Sequence, residues 1–555
     1  MAISSEEIFQ NLDEDQAKAV KAIRGPVAII AGAGSGKTRT ITYRLAYGFQ
    51  TGVIDPKRVL ALTFTTKAAN EIRARLSQLG YPNINARTFH SAALRQLMFF
   101  WPQTVGTAFP QIISNKYTYL NQLFSKNNLE VNSSRNFIRD LASEIEWAKL
   151  QELTGAEYQQ YALKTQRLGN DEKQIAEFAN LYDLYEKSKV KTGHLDFEDI
   201  LVVLAGMLEE ERSVREQVRD QYRFFTVDEY QDISPLSQKL LNLWIGNREE
   251  ICVVGDPAQT IYSFSGATSY FLQDFSNHYP NAQIINLSKG YRSTPEIIDM
   301  AKKVITASSN SYGSEVISVN NSGIKPEILS AANPEAELEL IINKINELQT
   351  SGVHVNDIAV LARTNAQLEN LENALDRAGI ENDGVTSVGK SDVKFFDRVD
   401  VKEAMRDIRH ASVLSEPSDN WKEELKGILR PYENSDFIPS FYFLADQLHE
   451  KGERSLRLFL RELEDANGNN NPPIYPGVHL ATLHSAKGLE WDYVFIMGAN
   501  DRYLPYNRPW SLNQFPLTKS FVEEERRLLY VGLTRAKKGV FVSFWGEISP
   551  LLNVS

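Results

Sequence analysis

The chain has 555 residues, of which 42% are hydrophobic and 24% are charged, and its formal net charge is −11 at pH 7. A single hydrophobic core stops growing at about 250 to 300 residues, so three or four domains are expected. The composition excludes disordered and fibrous classes of protein. Because no apolar run reaches the roughly 18 residues of a membrane span and the start lacks a signal pattern, a cytoplasmic protein without membrane contact is predicted.

The charge balance and the cysteine content narrow the possible ligands. The acidic net charge, taken alone, argues against a nucleic-acid partner, although a local basic and aromatic track could still hold a strand. The single cysteine, Cys252, excludes an internal disulfide and a cysteine-based zinc site, since both need at least two thiols. Its apolar neighbours indicate a small core residue.

Short apolar runs separated by helical spacing recur along the chain. The first run, residues 26–31, enters a glycine-rich turn and is followed by helical spacing over residues 38–49, and residues 58–64 predict the next strand. Further strands are predicted at residues 224–227, 251–254, 284–287, 358–361, 478–483, 493–497 and 540–544. This alternation is typical of parallel α/β sheets, and there are enough strands for two of them.

Two segments with little strand character, residues 95–195 and 405–470, interrupt the α/β pattern. Both are rich in residues that favour helices. We predict that each is a mainly helical accessory domain inserted into an α/β lobe. Residues 467–473, rich in asparagine and proline, predict a turn-forming linker that returns the chain to a strand.

Residues 31–38 carry the clearest chemical signal, because they follow an apolar strand and open a helix. Glycines let backbone N–H groups wrap phosphates, Lys37 offsets the charge of the β- and γ-phosphates, and the Thr38 hydroxyl can ligate Mg²⁺. The predicted nucleotide-contacting residues here are Ala33, Gly34, Ser35, Gly36, Lys37, Thr38 and Arg39. The alternative is a glycine-rich turn without a ligand, and the two matching flanks favour the phosphate loop.

Two adjacent acids end the predicted strand at residues 224–227. At the edge of a sheet, Asp228 would hold Mg²⁺, and Glu229 would polarise the water that attacks the γ-phosphate. Acids in this place can also form a solvated turn, but the phosphate loop upstream favours a shared site. ATP and Mg²⁺ are therefore the predicted cofactors.

Eight further segments complete a motif pattern that spans most of the two α/β regions. They are residues 11–16, 62–69, 88–91, 253–267, 287–294, 359–365, 482–490 and 523–536. In order and spacing they resemble the motifs of superfamily 1 DNA helicases of the UvrD, Rep and PcrA type, in a compact form with a reduced second accessory domain.

The resemblance implies two RecA-like parallel-sheet P-loop lobes, each with a mainly helical inserted accessory domain. The implied domains are residues 1–95 with 196–285 for the first lobe, 96–195 for its insertion, 286–404 with 475–555 for the second lobe, and 405–474 for a short insertion and linker.

The resemblance also implies nucleotide contacts outside the phosphate loop. Gln16 would read the adenine edge, Tyr291 would stack on adenine, and Glu490 would contact the ribose side. Arg292 and Arg535, both expected from the second lobe, would be arginine fingers that stabilise the transferring phosphoryl group. Hydrolysis would then be coupled to closure of the lobes.

A track for a single DNA strand beside the nucleotide site is implied as well. Gln259 would sense the γ-phosphate and relay its state to the track. The residues implied to stack on bases are Phe64, Phe197, Tyr262 and Phe264, and those implied to touch the backbone are His90, Arg363 and His484. Stacking contributes about 1 to 3 kcal/mol per base and ignores sequence, which suits a motor. Aromatic residues after strands are otherwise core residues, and this alternative stays open.

Three features depart from the larger members of the family. Phe264 and Ser265 stand where many members have Trp and Arg, so a weaker grip on DNA is expected. The second insertion is short, which predicts altered engagement of duplex DNA. The chain ends soon after the last motif, so no appended nuclease or zinc-binding tail is expected.

These observations predict an ATP-dependent 3′-to-5′ single-stranded DNA translocase and DNA helicase acting in DNA repair or replication. The expected substrates are single-stranded DNA and 3′-tailed duplex DNA, with repair proteins as partners and a monomer in isolation. A translocase that displaces proteins from single strands with little unwinding is the alternative within the same fold. The acids and arginines disfavour a nucleotide-gated scaffold without turnover. RNA stays open as a substrate, since stacking does not read the 2′-hydroxyl.

Overall fold

The structure is a computed structural model that describes residues 3–127, 135–165, 167, 171–307, 315–384, 395–415, 417–433, 435, 437–450, 452–468, 473, 477–506 and 518–552. Its strands are β1 (Val27–Ala31), β2 (Val59–Thr63), β3 (Ala86–Thr88), β4 (Gln111–Ile112), β5 (His194–Leu195), β6 (Phe224–Val227), β7 (Ile251–Gly255), β8 (Gln283–Leu287), β9 (Lys289–Gly290), β10 (Ile317–Ser318), β11 (Glu327–Ala331), β12 (Ile358–Ala362), β13 (His479–Thr482), β14 (Trp491–Ile496) and β15 (Ala536–Trp545).

The α-helices of the same residues fall between these strands and in the two insertions. They are α1 (Ser5–Gln10), α2 (Glu14–Lys21), α3 (Lys37–Gln50), α4 (Thr66–Gln78), α5 (Phe89–Thr104), α6 (Lys116–Lys126), α7 (Arg135–Leu150), α8 (Gly155–Lys164), α9 (Glu172–Thr192), α10 (Asp199–Glu210), α11 (Arg212–Gln221), α12 (Pro235–Ile245), α13 (Tyr270–Gln273), α14 (Phe275–His278), α15 (Pro295–Thr306), α16 (Pro334–Thr350), α17 (Asn365–Arg377), α18 (Val399–Leu414), α19 (Trp421–Leu429), α20 (Ile438–Glu450), α21 (Leu456–Gly468) and α22 (Lys519–Leu533). In the described part of the chain, no helix combines the length and apolar character that a membrane crossing needs.

The first sheet has six strands in the order β3-β2-β6-β7-β1-β8, and every neighbouring pair is parallel. Its central strand β7 is buried along its whole length, and Cys252 lies within it as a core residue. Helices α5, α10 and α12 cover one face through residues such as Leu204 and Trp244. Helices α2, α3 and α4 cover the other through residues such as Ile41 and Leu76. Burial on both faces explains why these strands read as continuous apolar runs.

The second sheet has five parallel strands in the order β11-β15-β14-β12-β13. Helices α16 and α17 pack on it through residues such as Ile341, Ile345 and Leu371, which are fully buried. Burial of each such aliphatic side chain contributes about 1.5 to 3 kcal/mol relative to exposure. The predicted α/β fold with two parallel sheets is therefore confirmed.

Each helical insertion has its own core. In the first insertion, α6 to α9 enclose residues such as Trp147, Phe178 and Tyr185. In the second, α18 to α21 enclose residues such as Trp421 and Phe441. The predicted linker begins inside α21, which extends to Gly468, and residues 469–472 and 474–476 lie outside the described residues.

The chain divides by its internal contacts into two compact units. The first comprises Met1–Arg292, Lys302–Asn320 and Pro505–Tyr530. The second comprises Ser293–Ala301, Asn321–Leu504 and Val531–Ser555. The first unit therefore contains the first sheet and its insertion, and the second unit contains the second sheet and its insertion.

Candidate nucleotide site and DNA track

The turn between β1 and α3 has the backbone geometry of a phosphate loop. Gly34 and Gly36 have φ values of +73° and +81°, in the left-handed region that glycine adopts without strain. A Cβ atom on Gly34 would lie 2.6 Å from the Cβ of Arg292, so the turn has no room for a larger residue there. The Nζ of Lys37 donates to the carbonyl of Ala31 at 3.1 Å, which folds the lysine back over the turn.

Two other predicted nucleotide residues converge on this loop. Gln16 is buried, and its Nε2 donates to the carbonyl of Ser35 at 3.0 Å. The backbone N–H of Tyr291 donates to the carbonyl of Gly34 at 2.9 Å. The Tyr291 hydroxyl donates to Asp13 at 2.5 Å, and burial followed by this bond raises the pKa of Tyr291 to about 12. The structure thus brings together Gln16, Tyr291 and the loop within the first unit.

Arg292 belongs to the first compact unit by its contacts, although the resemblance assigns it to the second lobe. Arg292 has these contacts because the hydrogen bond from the Tyr291 N–H to the Gly34 carbonyl places the following residue, Arg292, against Gly34. The carbonyl of Arg292 also accepts a hydrogen bond from Nδ2 of Asn320 at 3.0 Å. Arg292 is therefore adjacent to the phosphate loop in the described geometry.

The two acids lie at the carboxyl end of β6, one strand away from β1 across β7. The N–H of Asp228 donates to Leu62 at 2.9 Å, and its Oδ1 accepts from the N–H of Glu229 at 2.9 Å. Glu229 has a φ of +53°, which is uncommon outside glycine and marks a strained turn. Since the carboxyl ends of parallel strands share an edge, the acids and the loop lie at the same edge of the sheet.

The environment of Asp228 fits a divalent cation. Burial, followed by the neighbouring Glu229, raises the pKa of the Asp228 carboxyl to about 7, and Lys37 offsets part of this shift. A buried carboxyl whose charge is disfavoured gains from a bound cation, and oxygen ligands of this kind suit Mg²⁺. Thr38, in the first turn of α3, offers a second oxygen.

A chain of hydrogen bonds connects Glu229 with Gln259. Gln231, which is fully buried, donates from Nε2 to Glu229 at 2.5 Å, and its Oε1 accepts from the N–H of Asp256 at 3.0 Å. The Oδ2 of Asp256 accepts from Nε2 of Gln259 at 2.7 Å. Sequence reasoning missed Gln231 and Asp256 as parts of the site. Asp256 gave a signal, since it directly follows the apolar run of β7 and a buried acid needs partners, whereas Gln231 stands among other polar residues and gave none.

The segment after Gln259 is held by a helix of the same unit. Ser263 donates its N–H to the carboxylate of Glu524 in α22 at 3.0 Å, and its hydroxyl donates to the same carboxylate. The Nε of Arg527 donates to the carbonyl of Thr260 at 2.7 Å. These contacts position the residues that flank Tyr262, and sequence reasoning did not assign them a role.

Five residues of the predicted DNA track lie in the first unit, after the carboxyl ends of β2, β3 and β7 or at the start of α10. The rings of His90 and Phe197 stack with centroids 4.0 Å apart and an interplanar angle of 11°. Phe197 is 53% exposed, so its other face is free for a base. Burial lowers the pKa of His90 to about 4, which keeps its ring neutral near pH 7.

The remaining aromatic residues of the track differ in exposure. Phe264 is exposed, and its ring lies 6.1 Å from that of Tyr262. Phe64 is half-buried, and its ring lies 5.4 Å from that of Phe89 in the core. Phe264 therefore exposes much of its ring to solvent, whereas Phe64 also contributes to the core.

Four predicted residues lie in the second unit. Arg535 is buried, and its guanidinium donates to the carbonyls of Val531 at 2.9 Å and Leu489 at 3.2 Å. Glu490 pairs with Lys537 at 3.0 Å. Burial, followed by the charges of Arg363 and Lys487, lowers the pKa of His484 to about 3. Arg363 and His484 are therefore neighbours.

Two parallel sheets with a phosphate loop and paired acids at one sheet edge define a P-loop nucleotide hydrolase. The family model for the UvrD/REP helicase N-terminal domain matches residues 12–280, and the model for the UvrD-like helicase C-terminal domain matches residues 285–420 and 432–547. The protein belongs to the UvrD/Rep helicase family.

Named relatives extend along nearly the whole chain. The ATP-dependent DNA helicase UvrD2 of Mycobacterium tuberculosis is 36% identical over 99% of this chain and 81% of its own length. A probable DNA helicase II homolog of Mycoplasma capricolum is 28% identical over 99% of this chain and 87% of its own length. The ATP-dependent DNA helicase PcrA of Bacillus subtilis is 26% identical over 97% of this chain and 83% of its own length. The protein is therefore an ATP hydrolase whose activity is coupled to DNA.

Proposed function

We propose that the protein is a 3′-to-5′ single-stranded DNA translocase and helicase that acts in DNA repair or replication with Mg²⁺ as its metal. The observation that carries this proposal is the hydrogen-bonded chain from Glu229 through Gln231 and Asp256 to Gln259. The residues that follow Gln259 lead directly to Tyr262 and Phe264. One continuous segment can therefore report the state of the nucleotide to the DNA track.

The residues at the sheet edge have separate roles in this proposal. Lys37 and the N–H groups of the loop bind the phosphates, and Glu229 accepts a proton from the attacking water. Asp228 and Thr38 would hold Mg²⁺, which neutralises charge on the phosphates when bound. Arg292 lies beside the loop and stabilises the transferring group. The role of Arg535 as a second arginine finger and that of Glu490 at the ribose stay predictions from the resemblance.

The DNA track consists of stacking surfaces rather than base-reading donors. The exposed faces of Phe197 and Phe264 can hold bases of any identity, and stacking of this kind contributes about 1 to 3 kcal/mol per base. His90 and His484 are neutral at pH 7, because their pKa values are lowered to about 4 and about 3. They would therefore contact the strand through hydrogen bonds and ring faces rather than through positive charge.

The first test compares ATP hydrolysis with single-stranded DNA, with RNA and without polymer. DNA is expected to stimulate hydrolysis, and Glu229→Gln is expected to reduce the stimulated kcat at least about 100-fold, since a general base contributes that much or more. DNA binding by this variant should persist. ATP hydrolysis at the wild-type rate in Glu229→Gln would exclude Glu229 as the general base. A Lys57→Ala variant, at an exposed position, serves as the control.

The second test concerns polarity and unwinding. A duplex with a 3′ tail is expected to separate in the presence of ATP, whereas the same duplex with a 5′ tail is not. Equal separation of both substrates would contradict the proposed direction. A monomeric state, repair-protein partners and a cytoplasmic location stay predictions.

A translocase that displaces proteins with little unwinding is the second candidate. Phe264 is followed by Ser265, so this part of the track presents one exposed ring and a small side chain. Displacement of streptavidin from a biotinylated single strand, without separation of the 3′-tailed duplex, would favour this function.

A further inference from the structure

The loop that joins α9 to α10 presents Phe197 to solvent while its neighbours point inward. Asp196, Glu198 and Asp199 are all buried, although Phe197 between them is 53% exposed. An exposed ring cannot fix its own position by burial, because most of its surface stays in water. Apart from its stacking on His90, the geometry of Phe197 therefore depends on the residues on either side.

Two buried lysines hold the two aspartates of this loop. The Nζ of Lys149 in α7 lies 2.8 Å from Asp196 and also pairs with Asp199. The Nζ of Lys189 in α9 lies 3.0 Å from Asp196 and 2.5 Å from Asp199. The side chains of both lysines are at most 4% exposed. Tyr185 donates its hydroxyl to Asp196 at 3.0 Å.

A third lysine, Lys116, pairs with Glu198 of the same loop. The Nζ of Lys116 in α6 lies 2.6 Å from Glu198, and both side chains are 9% exposed. Three helices of the first insertion therefore each contribute one lysine to one acidic loop. We call Lys116, Lys149, Lys189, Asp196, Glu198 and Asp199 the lysine clamp.

Asp196 and Asp199 also accept hydrogen bonds from each other's backbone N–H groups. The N–H of Asp196 donates to the carboxylate of Asp199 at 2.8 Å, and the N–H of Asp199 donates to that of Asp196 at 2.9 Å. Only Phe197 and Glu198 lie between them. The reciprocal bonds restrict the backbone around Phe197, and the lysines fix both carboxylates relative to the insertion.

The carboxylates of Glu186, Asp196 and Asp199 lie close enough together to resemble a metal site. The ammonium groups of Lys149 and Lys189 already occupy that position and donate hydrogen bonds to the carboxylate oxygens that would otherwise ligate a cation. Burial would raise the pKa of the Asp196 carboxyl, but the surrounding lysines outweigh it and hold that pKa well below its usual range. Asp196 and Asp199 with Lys149 and Lys189 are therefore a charge-paired structural unit.

We propose that the lysine clamp positions Phe197 for base stacking, so that the first insertion acts on DNA through this loop. Buried ion pairs contribute little net stability compared with apolar packing, but they can define one unique arrangement. In this loop that arrangement places the Phe197 ring against His90 at 4.0 Å, with the other face toward solvent. The inference rests on the proposed function in one respect, namely that Phe197 stacks on a base.

A double-mutant cycle tests the clamp. The first arm is Lys116→Met combined with Glu198→Gln, which removes both charges of this buried pair; the other partner of Lys116, Glu146, is 43% exposed and can be solvated. The second arm is Phe197→Ala, and the third combines all three changes. Binding is measured by fluorescence anisotropy with a fluorescein-labelled oligothymidylate at constant salt.

Phe197→Ala is expected to weaken DNA binding about 5- to 150-fold, the range for loss of one base stack. The pair variant is expected to weaken binding about three- to tenfold in the wild-type background and less than about twofold in the Phe197→Ala background. Quenching of 2-aminopurine in the oligonucleotide, which reports stacking, should fall together with affinity in the pair variant.

Two matched variants complete the design. Arg409→Met with Glu464→Gln removes an exposed pair from the second insertion, where the side chains are 54% and 46% exposed, and should leave DNA binding unchanged. Tyr185→Phe removes one hydrogen bond to Asp196 and keeps every charge, so it tests the clamp even where the pair variant does not fold. Tyr185→Phe is expected to weaken binding about twofold, again only when Phe197 is present.

Three results would overturn the inference. Unchanged affinity in the folded pair variant and in Tyr185→Phe would show that Phe197 does not depend on the clamp. Equal weakening with and without Phe197 would show a general structural role. Wild-type affinity in Phe197→Ala would exclude a stacking role for Phe197. If DNA still stimulated ATP hydrolysis in that variant, the proposed function would remain and would depend on other residues.

Discussion

The two helical insertions have similar apolar cores but use charge differently. The first encloses residues such as Phe178 and Tyr185 and also buries lysines that pair with acids. The second encloses Trp421 and Phe441, and its described ion pairs, such as Arg409 with Glu464, are exposed or half-buried. The second insertion therefore has an apolar core of similar kind without a buried lysine–acid cluster among its described residues. The buried charges of the first insertion coincide with the loop that carries Phe197, which indicates that they serve position rather than stability.

The largest effect on stability is expected from a single substitution in the lysine clamp, and it tests the difference between the two insertions. Lys149→Met leaves Asp196 and Asp199 with less buried positive charge and is expected to lower the free energy of unfolding by about 3 to 5 kcal/mol. Lys422→Met, which removes the partner of Asp446 in the second insertion, is expected to cost about 0 to 1 kcal/mol. Denaturant unfolding measures both values, and similar costs would remove the distinction between the insertions.

An intermediate effect is expected from the apolar core of the second insertion. Leu425 is fully buried there, and Leu425→Ala is expected to lower the free energy of unfolding by about 2 to 5 kcal/mol through lost transfer energy and a cavity. At temperatures where the insertion remains folded, the DNA concentration that half-saturates ATP hydrolysis should change less than about twofold. A large change in that concentration would mean that the second insertion also positions the DNA track.

The smallest expected effect is a local response to acid. The pKa of His90 is lowered to about 4 by burial, whereas the unfolded chain protonates near pH 6.5. Between these values only the unfolded state carries the proton, so the stability contributed at His90 is present above pH 6.5 and falls as pH decreases toward 4. From pH 6.5 to pH 5 the loss is about 2 kcal/mol.

Hydrogen exchange, corrected for the intrinsic rate, measures this response. Protection in α5 and around Phe197, which stacks on His90, should fall more between pH 7.5 and pH 5 than protection in α18 to α21. His90→Gln should reduce the difference. Equal loss in both regions would contradict a specific role of His90.

Much of the candidate nucleotide site could be predicted from the sequence, because each of its motifs is a short local pattern next to a strand. The glycines at 34 and 36 have the positive φ values that a phosphate loop needs, and Asp228 and Glu229 follow a buried strand. The assigned catalytic roles of these residues stay predictions until the variants are measured. The family, by contrast, is established by matches over both sheets.

The strands that escaped prediction are short or lie at sheet edges. β3 has three residues, and β11 is an edge strand whose side chains are half-buried or exposed, so neither gives a continuous apolar run. Their place in the sheet depends on the neighbours β2 and β15, with which they pair. Periodicity alone cannot detect a strand that is defined by its partner.

The sequence by itself determined the two parallel sheets, the phosphate loop, the acids and the family, since each depends on residue types at short spacing or on a run of buried positions. Only the tertiary structure decided that Gln231 and Asp256 connect Glu229 to Gln259, and that Arg292 lies beside Gly34. The same holds for the lysine clamp, whose members Lys149 and Asp196 are 47 residues apart. Burial and pairing of charges are properties of the folded chain, and no local pattern records which lysine a buried aspartate will meet.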